Sequence, residues 1–171
     1  MKHEAPPPRI LAIDPTCRGF GFAVLEGPAT LVDWDLRVTR RQSSALVARK
    51  VLDLLQRYEP HVLVVEDCNA RGSRRGERAR RFIEAACGLA KSRRVRVVRV
   101  TVSAVHEMFD DQRCTSKHDI ATAITEQFPY LANRLPPERR AWMSEAERMA
   151  IFDATAFGLT YYFLNDATTR H

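Results

Sequence analysis

Two carboxylates stand at the ends of short apolar runs. Asp14 closes Ile10-Leu11-Ala12-Ile13 and Glu66 closes Val62-Leu63-Val64-Val65. A third acid, Asp153, lies in a long apolar stretch, on a helical stripe with Met149, Ala156, Phe157 and Thr160. Adjacent strands run about 4.8 Å apart, so if the two runs are parallel neighbours, Asp14 and Glu66 emerge at one sheet edge within reach of shared cations. An acid among apolar residues is costly to desolvate unless a cation meets it. Hard oxygen ligands without clustered His or Cys suit Mg²⁺ or Mn²⁺. Two such ions about 3.5–4 Å apart activate water and stabilise the departing oxygen of a phosphodiester. Each acid also has a plainer reading: Asp14 before Pro15 suits a turn, Glu66 a strand-end surface charge, and Asp153 an ion pair with Arg148. Converging on one sheet edge, the three point to metal-dependent hydrolysis of nucleic acid.

The charge distribution supports a polyanionic partner. Of 27 basic residues 23 are arginine, whose fork suits phosphate. Residues 1–70 carry nine basic and nine acidic side chains, residues 71–99 eleven against two, and residues 100–171 seven against ten. The whole excess of the formal +6 therefore sits in one 29-residue segment. Its start, Arg71-Gly72-Ser73-Arg74-Arg75-Gly76, is loop-like and follows directly on the strand that ends in Glu66. Arg71, Arg74, Arg75 and Arg78 are the candidate phosphate contacts; a solvated helix face is the plainer alternative.

The elements that must position these groups follow from periodicity. Residues 9–14 and 20–25 read as strands split by Pro15 and Gly19, and Val32, Trp34, Leu36 and Val38 alternate with polar residues as a third. Short connections make these an antiparallel meander. Val47, Val51, Leu54, Leu55 and Tyr58 recur at helical spacing over 43–58, with Pro60 as the stop. Val62 to Val65 suits a central parallel strand. A basic helix over 76–92, a near-edge strand over 95–100, a short helix opened by Thr115 or Ser116, and an apolar helix over 144–164 complete the chain. The order βββαβαβαα predicts an α/β fold with one mixed five-stranded sheet flanked by helices.

Length and composition fit this reading. At 171 residues, 45% hydrophobic and 28% charged, the chain has single-domain length and is neither disordered, collagen-like nor coiled coil. No apolar run is long enough to span a bilayer, and Met1 to Arg9, with Glu4 and three prolines, does not read as a secretory signal. Cys17, Cys68, Cys87 and Cys114 are too far apart for a CxxC pair and suit a reducing cytoplasm.

The run Leu11-Ala12-Ile13-Asp14-Pro15-Thr16-Cys17-Arg18-Gly19-Phe20-Gly21-Phe22-Ala23-Val24 resembles the opening of RuvC-type Holliday junction resolvases, members of the ribonuclease H-like superfamily. Leu63-Val64-Val65-Glu66 resembles their second acidic strand, Thr115-Ser116-Lys117-His118-Asp119 their lysine-bearing helix entry, and Phe152-Asp153-Ala154-Thr155-Ala156 their C-terminal acidic helix. The resemblance implies that Asp14, Glu66 and Asp153 are metal ligands, with Asp14 shared by two Mg²⁺ or Mn²⁺ ions, and that Lys117 neutralises charge at the scissile phosphate. It also implies a homodimer on branched DNA, cutting a four-way junction by paired nicks. The apolar C-terminal helix, with Phe152, Tyr161, Tyr162 and Phe163, offers a face for the second subunit.

Three positions depart from the family pattern. Ala150 stands where a fourth acid or a histidine is common, Asn69 where an aromatic is frequent, and Thr16 where glycine usually follows Asp-Pro. Glu147 is the further candidate ligand, reachable if the helix entry is distorted. Two other readings remain: a ribonuclease H-like nuclease acting on RNA or another branched DNA, and a DNA-binding protein on a catalytically degenerate nuclease fold.

Overall fold

The computed structural model of the chain describes residues 6–40 and 43–169. Of the Met1 to Arg9 stretch, Met1 to Ala5 lie outside the described residues. Five strands form one mixed sheet: β1 (Arg9–Pro15), β2 (Gly19–Glu26), β3 (Leu31–Val38), β4 (Val62–Glu66) and β5 (Arg96–Val100), in the order β3-β2-β1-β4-β5. The first three are antiparallel, and β1, β4 and β5 are parallel. The arginine-bearing β5 is an edge strand, as its composition implies.

Strand alternation separates two cores. Ile10, Ala12, Val62 and Val64 face one side, while Leu11, Ile13, Leu63 and Val65 face the other with Phe20, Phe22 and Val24. On the second side pack α1 (Ser44–Tyr58) and α2 (Glu77–Ser92). The Ser43 side chain caps α1 by accepting from the Leu46 N–H, and Glu59, in the left-handed region at φ 43°, ends it before Pro60. On the first side pack α3 (Val102–Phe109), α4 (Lys117–Gln127) and α5 (Met149–Thr169). Helix α5 lies close on the sheet because Gly21 carries no side chain: a Cβ there would stand 2.3 Å from the Ala150 carbonyl carbon. Tyr162 pins the far half of α5, its hydroxyl accepting from the Gly27 N–H and donating to the Pro8 carbonyl at 2.6 Å.

The element order is βββαβαβααα, one helix more than periodicity predicts, since α3 fills the 101–109 connection. The C-terminal helix begins at Met149 rather than Ser144. It opens through three successive i→i−3 turns, from Met149, Ala150 and Ile151 back to Ala146, Glu147 and Arg148, so 144–148 is a wrapped approach. The apolar face expected to dock a second subunit is covered within the chain. Phe152, Tyr161 and Tyr162 are buried against the sheet, α3 and α4, leaving Phe163 and Leu164 partly exposed.

Candidate active site

The parallel register pairs Ile10 with Val62 and Ala12 with Val64; carried two residues on, it sets Asp14 beside Glu66. Both acids share the parity of Ala12 and Val64, so they face the side of the sheet that α5 covers. Only 2% of Asp14 and 3% of Glu66 is exposed. Asp153, on the second turn of α5, lines the same cleft of about 630 Å³ as Asp14. One wall of this cleft carries Arg74, Arg75 and Arg78, and the other carries Ser144 to Glu147. The three acids read from the sequence thus belong to one site. Asp67 takes no part: its carboxylate accepts from the Asn69 N–H and shapes the turn after β4.

The cations that meet these acids are specific. Arg75 donates through Nη2 to Asp14 and through Nε, at 2.5 Å, to Glu66, so one guanidinium spans both strand ends. Ser73 adds its hydroxyl to the other Glu66 oxygen at 2.8 Å. Lys117 Nζ donates to Asp153 and to Glu145, each at 2.8 Å. This ammonium sits at the first residue of α4, where Ser116 and Asp119 form a reciprocal capping box that fixes its direction. Asp153 is therefore partnered by Lys117, not by Arg148.

Four carboxylates thus surround two cations, and burial sharpens the imbalance. Burial first, then the charge of Asp153, pushes the Asp14 carboxyl well above the ordinary carboxylate range, against the pull of Arg75 and Lys117. Asp153 is raised too, by burial first, with Lys117 pulling the other way. Burial disfavours the Lys117 ammonium, yet Asp153 and Glu145 outweigh it and hold its pKa above the usual lysine value. A buried excess of negative charge on hard oxygen donors is what a divalent cation neutralises, so the donor set fits Mg²⁺ or Mn²⁺ in chemistry. In the conformation present, no group of three His, Cys, Asp or Glu among the described residues stands ready to hold a metal ion. Arg75 fills the gap between Asp14 and Glu66.

The remaining expectations divide. Arg71, Arg74 and Arg78 are exposed around the cleft and along the 71–78 segment, as phosphate contacts require. Arg75 differs from them: its guanidinium is directed inward onto the acids. Glu147 also departs from expectation. It accepts from Arg18 at 2.7 Å and from the Cys17 thiol, and the Arg18 hydrogen bond holds its carboxyl below the usual value. Ala150 is buried where the first turn of α5 rests on Gly21. Sequence reading missed Ser73 and Glu145. Glu145 was hidden by the helix expected over 144–148, while Ser73 carried no signal beyond its loop.

No protein-family model matches the chain, and no curated protein sequence does. Solved structures do. A Thermus thermophilus RuvC structure is similar at TM-score 0.67 and 20% identity, over 94% of this chain and 97% of that one. T. thermophilus RuvC in complex with a Holliday junction substrate is similar at TM-score 0.64 and 19% identity, over 93% and 96%. The yeast mitochondrial Holliday junction resolvase Ydc2 is similar at TM-score 0.64 and 13% identity, over 97% and 82%.

Proposed function

The chain has the fold of the RuvC-type Holliday junction resolvases along nearly its whole length. From that premise we propose that it acts, as a single domain, as a metal-dependent, structure-selective DNA endonuclease that resolves four-way junctions by paired nicks. The observation that carries this reading is the convergence of Asp14 and Asp153 in one cleft walled by arginines, with Glu66 joined to Asp14 through the Arg75 guanidinium. Asp14, Glu66 and Asp153 are the residues that would hold Mg²⁺ or Mn²⁺, with two ions expected. Bound there, the ions supply activation of a water and stabilisation of the departing oxygen. Lys117 keeps its proton and stands beside Asp153 at the cleft, placed to pair with a phosphate oxygen. Arg71, Arg74 and Arg78 bind the flanking backbone and hold it in register. A homodimer matches the two-fold symmetry of a junction. The described cysteines are all free, and no helix among the described residues is long and apolar enough to cross a membrane; a reducing cytoplasm is the compartment we assign.

One observation favours a second reading. The double ion pair of Arg75 neutralises the strand-end acids without any metal, as in a DNA-binding protein that has lost cleavage. The two separate in a cleavage assay with Mg²⁺ and with Mn²⁺ on a synthetic four-way junction, with duplex, flap and RNA controls. Paired nicks near the branch point, confined to the junction, are expected. Tight junction binding with no cleavage under either ion establishes the second reading, and equal cleavage of RNA or flaps shifts the substrate class.

A further inference from the structure

Trp142 has no role in the site described above, yet it is the most exposed large hydrophobic side chain among those described, at 76%. The other tryptophan, Trp34, is stacked on Tyr130 with ring centroids 4.7 Å apart. An indole left in water forgoes a large burial gain, and this one is held in place. The Met143 N–H closes a turn onto the Arg140 carbonyl at 2.9 Å, and the Arg140 guanidinium lies 5.3 Å from the indole centroid. With a cation over one face, the opposite face stays open.

Its position ties it to the acids. Trp142 is two residues before Ser144, which lines the cleft, and three before Glu145, which is anchored to Lys117. Three residues span at most about 11 Å even when fully extended, so the Trp142 backbone lies within that reach of Glu145, close to the cleft. In the same segment Arg139, Arg140 and Arg148 are exposed, while Glu145 and Glu147 are taken up by Lys117 and Arg18, and the nearby cleft brings Arg74 and Arg78. The occupant must therefore combine a flat ring with dense negative charge. A protein surface rich in acids supplies the charge but no ring at regular spacing; a nucleotide supplies both within one unit.

We propose that Trp142 is a base-stacking site that receives an unpaired nucleobase of the nucleic acid lying in the acid-bearing cleft. The inference rests on the nucleic-acid part of the reading above and is independent of cleavage. A base inside a duplex has both faces occupied, so the site selects strands that are open, at a branch point or in a single strand. Arg140 orients the ring, while Arg74 and Arg78 take the phosphates of the same strand.

Binding without divalent ions tests this, using fluorescein-labelled single-stranded oligothymidine, a four-way junction and a blunt duplex. Trp142→Ala should weaken binding to the single strand by about 5- to 150-fold, the range for loss of one stacked base, and duplex binding by less than about 2-fold. Trp142→Phe should keep most of the affinity. The salt slope should not change with Trp142→Ala, because stacking releases no counterions, whereas Arg78→Ala should lower it on duplex by about 0.9. In a Trp34→Phe background, oligothymidine should quench the remaining indole fluorescence. Equal losses on duplex and single strand, no loss at all, or a changed salt slope overturns the proposal. A shift from dimer to monomer with DNA selectivity unchanged also overturns it, and makes Trp142 a contact between copies. A wild type that cuts junctions beside a Trp142→Ala variant that binds normally removes the stacking site alone. A wild type that binds but never cuts removes cleavage alone.

Discussion

Asp14 and Glu66 ride on rigid strand ends and share one guanidinium whose side chain is 19% exposed, whereas Asp153 rides on a helix and meets an ammonium whose side chain is 51% exposed. The strand half of the cluster is the more buried and is cross-linked; the helix half is the more exposed and is tied through Glu145 to the segment that carries Trp142. Removing one member of a desolvated pair leaves an uncompensated charge that water cannot reach. In a half-exposed pair, water takes the missing partner's place. Rigidity is thus concentrated around Arg75, and Lys117 is the more exposed of the two cations.

The largest effect is expected where both halves fail alike. Asp14→Asn, Glu66→Gln or Asp153→Asn should each lower junction cleavage by at least about 100-fold, beyond the range typical of groups that merely support a ligand, while gel-shift affinity for the junction persists. Normal metal-dependent turnover by any one of them removes that residue from the ligand set.

A smaller effect should separate the halves. Arg75→Ala should destabilise the metal-free protein by about 3 kcal/mol in urea titration, as expected for a broken buried pair, and Mn²⁺ should restore much of that loss. Lys117→Ala should cost less than about 1 kcal/mol. Equal losses, or an Arg75→Ala protein that gains nothing from Mn²⁺, would dissolve the contrast.

The smallest effect concerns the support of Lys117. Asp119 accepts from the Thr115 N–H and hydroxyl and from the Ser116 N–H, and these bonds lower its pKa to about 2. A depressed carboxyl stabilises the fold above its unfolded pKa near 3.8 and loses that contribution as pH falls through about 2. Protection from hydrogen exchange in the first turn of α4, relative to the intrinsic rate at each pH, should therefore fall between about pH 4 and 2 in the wild type. Asp119→Ala should abolish the pH dependence and leave the turn loose throughout.

The same contrast governs what could be read from the sequence. Strand positions were legible because an apolar run ending in an acid is a local signal, and the crossover through α1 decides that β1 and β4 run parallel. Arg75 was not legible as an inward cation: which arginine of a basic loop turns back depends on the path of 67–76, and Arg71, Arg74 and Arg75 look alike in composition. Lys117 was reached through family likeness, but its partnership with Asp153 depends on how α4 and α5 pack. The connection at 101–109 carried a usable signal, Thr101 as cap with Val102, Val105 and Phe109 at helical spacing, which the neighbouring strand pattern obscured. The start of α5 was placed too early because periodicity cannot sense Glu145 and Glu147 being drawn toward Lys117 and Arg18.

Where the first turn of α5 rests on Gly21, the residue directly across from Asp14 in the β1–β2 pairing, the order of events in folding becomes relevant. The β1–β2 hairpin closes through local contacts, and β4 joins after a single crossover. The third carboxylate is brought in by a helix that follows every strand and packs onto a bare glycine backbone, a contact of long sequence separation. The sheet by itself positions only two of the three acids, so the site is complete only with that long-range contact made.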